Sequence, residues 1–136
     1  MSKIQIFTDG TCSPNPGAGG WCAIVRYGDR EDKIINGGEN NTTNNRMELK
    51  PVIEALKTLK EPSKVELVSY SPYVVRAIDG TYENLKENLD LWAEYAEASK
   101  GHKVTARYVE EHSGHLENER CRKMANAQIE LHKSSL

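Results

Sequence analysis

Two carboxylates at the ends of predicted elements give the first indication of chemistry. Asp9 closes the strand-like run IQIFTDG, and Glu48 lies in TTNNRMELK, where an apolar helical pattern begins. Carboxylate oxygens, with water and substrate oxygens, are the ligands that hard cations such as magnesium select. Two such ions about 4 Å apart can activate a water, stabilise a pentacovalent phosphate and neutralise the leaving oxygen of a phosphodiester. A histidine side chain titrates near about 6.5, which suits proton transfer, and His112 stands in the polar loop EEHSGHLENER. Each residue also has a plainer reading. Aspartate before glycine is ordinary turn chemistry, glutamate near a helix start complements the helix dipole, and a loop histidine is commonly just solvated.

What lifts Asp9 and Glu48 above those readings is the joint occurrence, in order, of FTDGTC, PNPGAGG, TTNNRMEL and HSGHLENERC. Together these runs resemble the type 1 ribonuclease H family over nearly the whole chain. The resemblance implies endonucleolytic cleavage of the RNA strand of RNA/DNA hybrids, with Mg2+ or Mn2+ held in pairs on four carboxylates. It makes Asp9 and Glu48 two of those metal-binding carboxylates and His112 the mobile-loop histidine that assists proton transfer or product release. It also places Cys12, Asn15, Asn44 and Asn45 against the hybrid's minor groove and backbone, where 2′-hydroxyl contacts distinguish RNA from DNA. Asn44 and Asn45 equally suit a helix cap, and Asn15 a turn.

The remaining two carboxylate positions of the family are occupied by other residues. Where the family has a TDS-like triplet this chain reads LVSYSPYVV, which puts Tyr70 at the aspartate position; ENERCRK puts Arg122 at the last one. A neutral phenol, titrating near about 10, is a poor magnesium ligand. A guanidinium stays cationic and cannot coordinate a metal. The expectation is therefore a family member with cleavage absent or severely impaired and hybrid binding retained, in which Arg122 neutralises Asp9 and Glu48 from the metal's place. The alternatives are an active magnesium-dependent enzyme with a remodelled site, and a protein-interaction module on the same scaffold. Glu119, one helical turn before Arg122, is the best-placed surrogate carboxylate. Glu66 shares strand parity with Tyr70 but lies about 13 Å away along the strand. His112, His115 and Cys121 have the residue types for zinc but lack a plausible fourth ligand.

The elements that must position these residues follow from hydrophobic periodicity. Ile4 and Ile6 alternate with polar residues up to Asp9, and WCAIVRYG and EDKIINGGE complete a three-strand antiparallel meander. Leu49, Val52, Ile53, Leu56 and Leu59 form one stripe of a helix from about 44 to 60. Asn45 and Glu48 have capping-box spacing, while Pro51 should distort the turn that carries Glu48. The strand KVELVSY, a short helix over 71–78, and a helix with Leu89, Trp92, Tyr95 and Ala96 on one face come next. The strand HKVTARYVE, with Val104, Ala106 and Tyr108 inward, precedes a last helix over 117–132 with Cys121, Met124, Ala125 and Ile129 inward. The order βββαβααβα predicts an α/β fold: a ribonuclease H-like mixed five-stranded sheet, the meander plus two parallel strands, flanked by helices.

Composition bounds the rest. A chain of 136 residues, 38% hydrophobic and 28% charged, suits one globular domain spanning residues 1–136. Cys12, Cys22 and Cys121 are an odd number without CxxC spacing, so free thiols in a reducing compartment are expected. No run approaches the roughly 20 apolar residues of a membrane span, and MSKIQIF enters a strand at once, so the chain reads as cytoplasmic. The net charge of −2 argues mildly against tight, non-specific binding of a polyphosphate. Glu110 and Glu111 add negative charge beside His112. The short acidic connection from Asp79 to Asp90 stands where many family members carry a basic, Trp-rich protrusion.

Overall fold

The computed structural model describes residues 2–80, 87–110 and 116–133. Strands β1 (Ser2–Cys12), β2 (Gly17–Arg26) and β3 (Lys33–Thr42) precede helix α1 (Asn44–Lys57) and strand β4 (Ser63–Ser69). Helices α2 (Pro72–Ile78) and α3 (Leu89–Ser99), strand β5 (Lys103–Tyr108) and helix α4 (Leu116–Lys133) complete the order expected from periodicity. The sheet runs β3-β2-β1-β4-β5. Its first three strands pair antiparallel, and β4 and β5 add in parallel to β1. This is the mixed α/β sheet that the sequence predicts.

Strand parity sorts the core into two layers, because successive side chains point to opposite faces. Ile4, Ile6, Val65 and Leu67 pack with Leu49, Val52, Ile53 and Leu56 of α1 and with Trp92 of α3. Phe7, Cys22, Ile24 and Val68 face the other way, toward Cys121 of α4. Fully burying each large aliphatic side chain contributes about 1.5–3 kcal/mol, so the two clusters hold both helical layers to the sheet. Helix α4 packs on β1, β2 and β3.

Several local expectations change. The cap of α1 is Thr43, whose side chain accepts a hydrogen bond from the Arg46 amide, so Asn45 and Glu48 form no capping box and Glu48 sits in the second turn. The helix continues unbroken through the buried Pro51. Leu89 is 60% exposed and Leu91 takes the inward place, because the face of α3 is set by Trp92 stacking edge-on to Tyr73 and Tyr95. Tyr108, at the open end of the edge strand, is 46% exposed. Among the described residues no helix is long and apolar enough to cross a membrane.

The first turns of α1 and α3 are joined by Arg46, whose guanidinium donates to both carboxylate oxygens of Asp90 at 2.9 and 2.7 Å. These hydrogen bonds hold the Asp90 carboxyl at about 2, below the usual aspartate value of 3.8. A depressed folded-state value means that the pair stabilises the fold above about pH 4 and that this contribution is lost as pH falls through about 2. Asp90→Asn should therefore lower the thermal midpoint at pH 7, with the difference from the unaltered chain closing by pH 2. Parallel melting curves across that range check it.

Candidate functional site

Asp9 lies near the end of β1, opposite Cys22 of β2. It shares parity with Phe7, so its side chain turns toward α4, where it is 2% exposed. Arg122 of α4 meets it side-on: Nε donates to Oδ2 at 2.8 Å and an Nη to Oδ1 at 3.3 Å. Oδ1 also accepts the Gly10 amide at 2.9 Å. The guanidinium stands 5.7 Å from the centre of the Tyr70 ring. Tyr70 follows the last residue of β4, is 7% exposed and donates its hydroxyl to Glu119 Oε1 at 3.0 Å. Burial, then the hydrogen bond to Glu119, push its phenol well above the usual tyrosine range, so it is neutral at physiological pH. Glu119, the surrogate carboxylate suggested by helical spacing, is thus engaged by the tyrosine.

Glu48 reaches the same place from α1. It lines, with Asp9, Ser69, Tyr70 and Arg122, a cavity of about 30 Å3. That is room for one or two waters. Two glycines permit the convergence. A Cβ on Gly10 would lie 1.8 Å from the Met47 carbonyl oxygen and 2.5 Å from the Glu48 amide, so α1 can approach β1 only where a side chain is missing. Pro51 has no amide to offer the Met47 carbonyl four residues earlier, which leaves that oxygen directed at Gly10 without an i+4 donor. On the other face, a Cβ on Gly20 would lie 2.0 Å from the Ala125 carbonyl oxygen, one turn beyond Arg122.

Asn118 fixes the start of α4. It is fully buried, and its amide donates to the carbonyls of Thr8 and Val68, both at 3.1 Å, clipping the helix to β1 and β4. Cys121, one turn on, donates to the Phe7 carbonyl at 3.3 Å and lies 3.1 Å from Cys22 Sγ. All three cysteines are free and buried. A hydrogen bond with Cys22, then burial, raise the Cys121 thiol.

The residues expected to contact a hybrid divide. Asn15, Asn44, Asn45 and Glu48 line one groove of about 650 Å3 together with Glu87 and Asn88. Asn15 Oδ1 accepts the Asn44 amide at 3.2 Å, which ties the β1–β2 turn to the helix start. Cys12 is 7% exposed, and its thiol lies within hydrogen-bond reach of the Pro14, Gly17 and Thr42 carbonyls, to any one of which its single proton can be donated, so it braces the turn. His112, Glu111 and His115 lie outside the described residues, and the possible zinc pattern lies there with them.

Spacing alone carried signals for two of the residues not singled out in the sequence. Asn118 shares the inward stripe of Cys121 and Ala125 at i, i+3 and i+7. Gly10 lies inside a strand, where a glycine marks close backbone approach.

The donor set does not fit a pair of divalent cations. Both oxygens of Asp9 accept from Arg122, the phenol is neutral, and among the described residues no group of three or more His, Cys, Asp or Glu could hold a metal. A divalent ion about 4 Å from the guanidinium would meet roughly 8 kcal/mol of repulsion at an effective dielectric near 20. Gly10→Ala should destabilise the fold by about 2–3 kcal/mol by forcing α1 off β1. Urea unfolding measures the loss, and a shift below about 0.5 kcal/mol would contradict the close approach.

Comparison with known proteins agrees with this architecture. The family model described as RNase H matches residues 1–130. A Ribonuclease HI of Helicobacter pylori is 47% identical over 137 residues, covering 96% of this chain and 95% of the relative. The N-terminal RNase H domain of a Mycobacterium tuberculosis protein superposes with a TM-score of 0.85 at 20% identity, covering 99% of each chain. LC11-RNase H1, solved in complex with an RNA/DNA hybrid, gives 0.77 at 21% identity over 94% of this chain and 97% of its own. The chain belongs to the RNase H family.

Proposed function

We propose that this ribonuclease H-family domain binds RNA/DNA hybrids through the asparagine-lined groove and has lost, or nearly lost, their metal-dependent cleavage. The observation that carries this reading is the side-on ion pair of Arg122 with Asp9. It places a fixed positive charge where the family's chemistry requires carboxylates and a cation. Asp9 and Glu48 remain as the family's metal-binding carboxylates, Tyr70 and Arg122 mark the two that are replaced, and His112 keeps the family's loop position. The groove beside Glu48 keeps Asn15, Asn44 and Asn45 together, and a structural neighbour was solved with a hybrid bound. Where magnesium or manganese binds in the family, this chain's own guanidinium supplies the neutralising charge.

A second reading, a working enzyme with an altered site, draws on the relatives named Ribonuclease HI at 47% identity. A hybrid labelled on the RNA strand separates the two. The unaltered chain should leave it intact in magnesium and in manganese, and robust cleavage would sink the proposed loss. Tyr70→Asp with Arg122→Asp restores the family's carboxylates. Without metal, that variant should melt below the unaltered chain because its carboxylates repel. Magnesium should raise its midpoint and restore cleavage by roughly two orders of magnitude or more. Hybrid binding by the unaltered chain should weaken steeply with salt. Absence of binding at low salt would favour a protein-interaction module.

A further inference from the structure

Parallel register places three lysines side by side. Lys3 of β1 pairs with Lys64 of β4, and Lys64 with Lys103 of β5. Their parity is that of Phe7 and Val68, so all three point to the face that carries α4. That helix packs on β1, β2 and β3, and the lysines stand exposed on the neighbouring, uncovered part of the face. Adjacent strands are about 4.8 Å apart, so three ammonium groups share a row of roughly 10 Å. Like charges directly opposite each other on a sheet are destabilising.

The one local carboxylate offsets only part of this row's charge. Lys3, Lys64 and Lys103 line a groove of about 580 Å3 whose one carboxylate is Glu66. Glu66 accepts from the Gln5 amide at 3.1 Å, and no described residue forms an ion pair with the three lysines. Arg26, at the groove's edge, is already held by Asp32 and Glu117 at 2.9 and 2.8 Å. Lys3 is six residues before Asp9 on the same strand, about 20 Å away, so the row is separate from the candidate cleft. Among the described residues the groove sets three lysines against one carboxylate, and in a chain of net charge −2 this excess of positive charge at one register costs stability unless an anion bridges it.

We propose that the lysine row is a binding site for consecutive phosphate groups. Ammonium groups are mobile point-charge donors that suit phosphate oxygens, and a row of three spans more than one phosphate. The same chemistry is offered by a free oligophosphate and by a single-stranded nucleic-acid backbone.

Titrating the full chain with inorganic triphosphate and, separately, with a ten-nucleotide oligothymidylate tests the site and its source. Both should perturb the amides around residues 3, 64 and 103 and leave those of Asp9 and Arg122 unmoved. Oligothymidylate binding should fall with salt at a log–log slope of about −2, from roughly 0.7 per phosphate contact. Tenfold tighter binding of one ligand than the other identifies its source. The triple variant K3Q/K64Q/K103Q should bind at least tenfold more weakly. Its melting temperature without anion should equal or exceed that of the unaltered chain, because the repulsion is gone. Triphosphate should raise the midpoint of the unaltered chain alone. Unperturbed strand amides, unchanged affinity in the triple variant, or oligoglutamate binding as tight as triphosphate would overturn the proposal.

Discussion

The ion pair between Asp9 and Arg122 organises the functional end of this molecule. A carboxylate that is 2% exposed has given up nearly all its hydration, at an effective cost of several kcal/mol unless a cation and hydrogen bonds replace the water. Arg122 supplies two of those bonds and the Gly10 amide a third. The arginine can do so only because α4 is held at one height on the sheet. Asn118 clips the helix to β1 and β4, and the missing side chain of Gly20 lets it settle against β2. The electrostatics of the site therefore rest on the packing of a glycine and the two hydrogen bonds donated by a buried amide.

The same close packing explains why Glu48 and Asp9 share a cavity although they point from different layers. Glu48 comes from α1 on one face and Asp9 from β1 toward the other, and they meet where the strands end. Gly10 brings the two backbones together there. Tyr70 closes the third side, with its hydroxyl committed to Glu119. The result is a site in which Arg122 offsets the charge of Asp9. Of the side chains that surround it, the Tyr70 phenol is neutral and the Arg122 guanidinium is cationic.

Much of this was legible beforehand. The strand and helix order followed from alternation and 3.6-residue periodicity, since most segments bury one face against a single layer. Asp9, Glu48, Tyr70 and Arg122 could be singled out because short motifs fix their spacing from glycines, prolines and asparagines nearby. Less legible were matters decided by competition between neighbours. Thr43 won the helix cap from Asn45, Leu91 took the inward place from Leu89, and Cys12 turned under the loop. Each of those outcomes depends on what a distant segment offers as a partner, and local sequence does not contain it.

The sequence by itself determined the family, the element order and the residue types at positions 70 and 122, tyrosine and arginine, because these reside in residue identity and in spacing along the chain. Tertiary structure alone decided that Arg122 lies side-on against Asp9, that Tyr70 engages Glu119, and that three lysines far apart in the chain align at one register. Contacts of that kind depend on strand register and helix height to within an ångström or so. Glycine contacts and one buried asparagine set those distances, and only the folded chain brings them together.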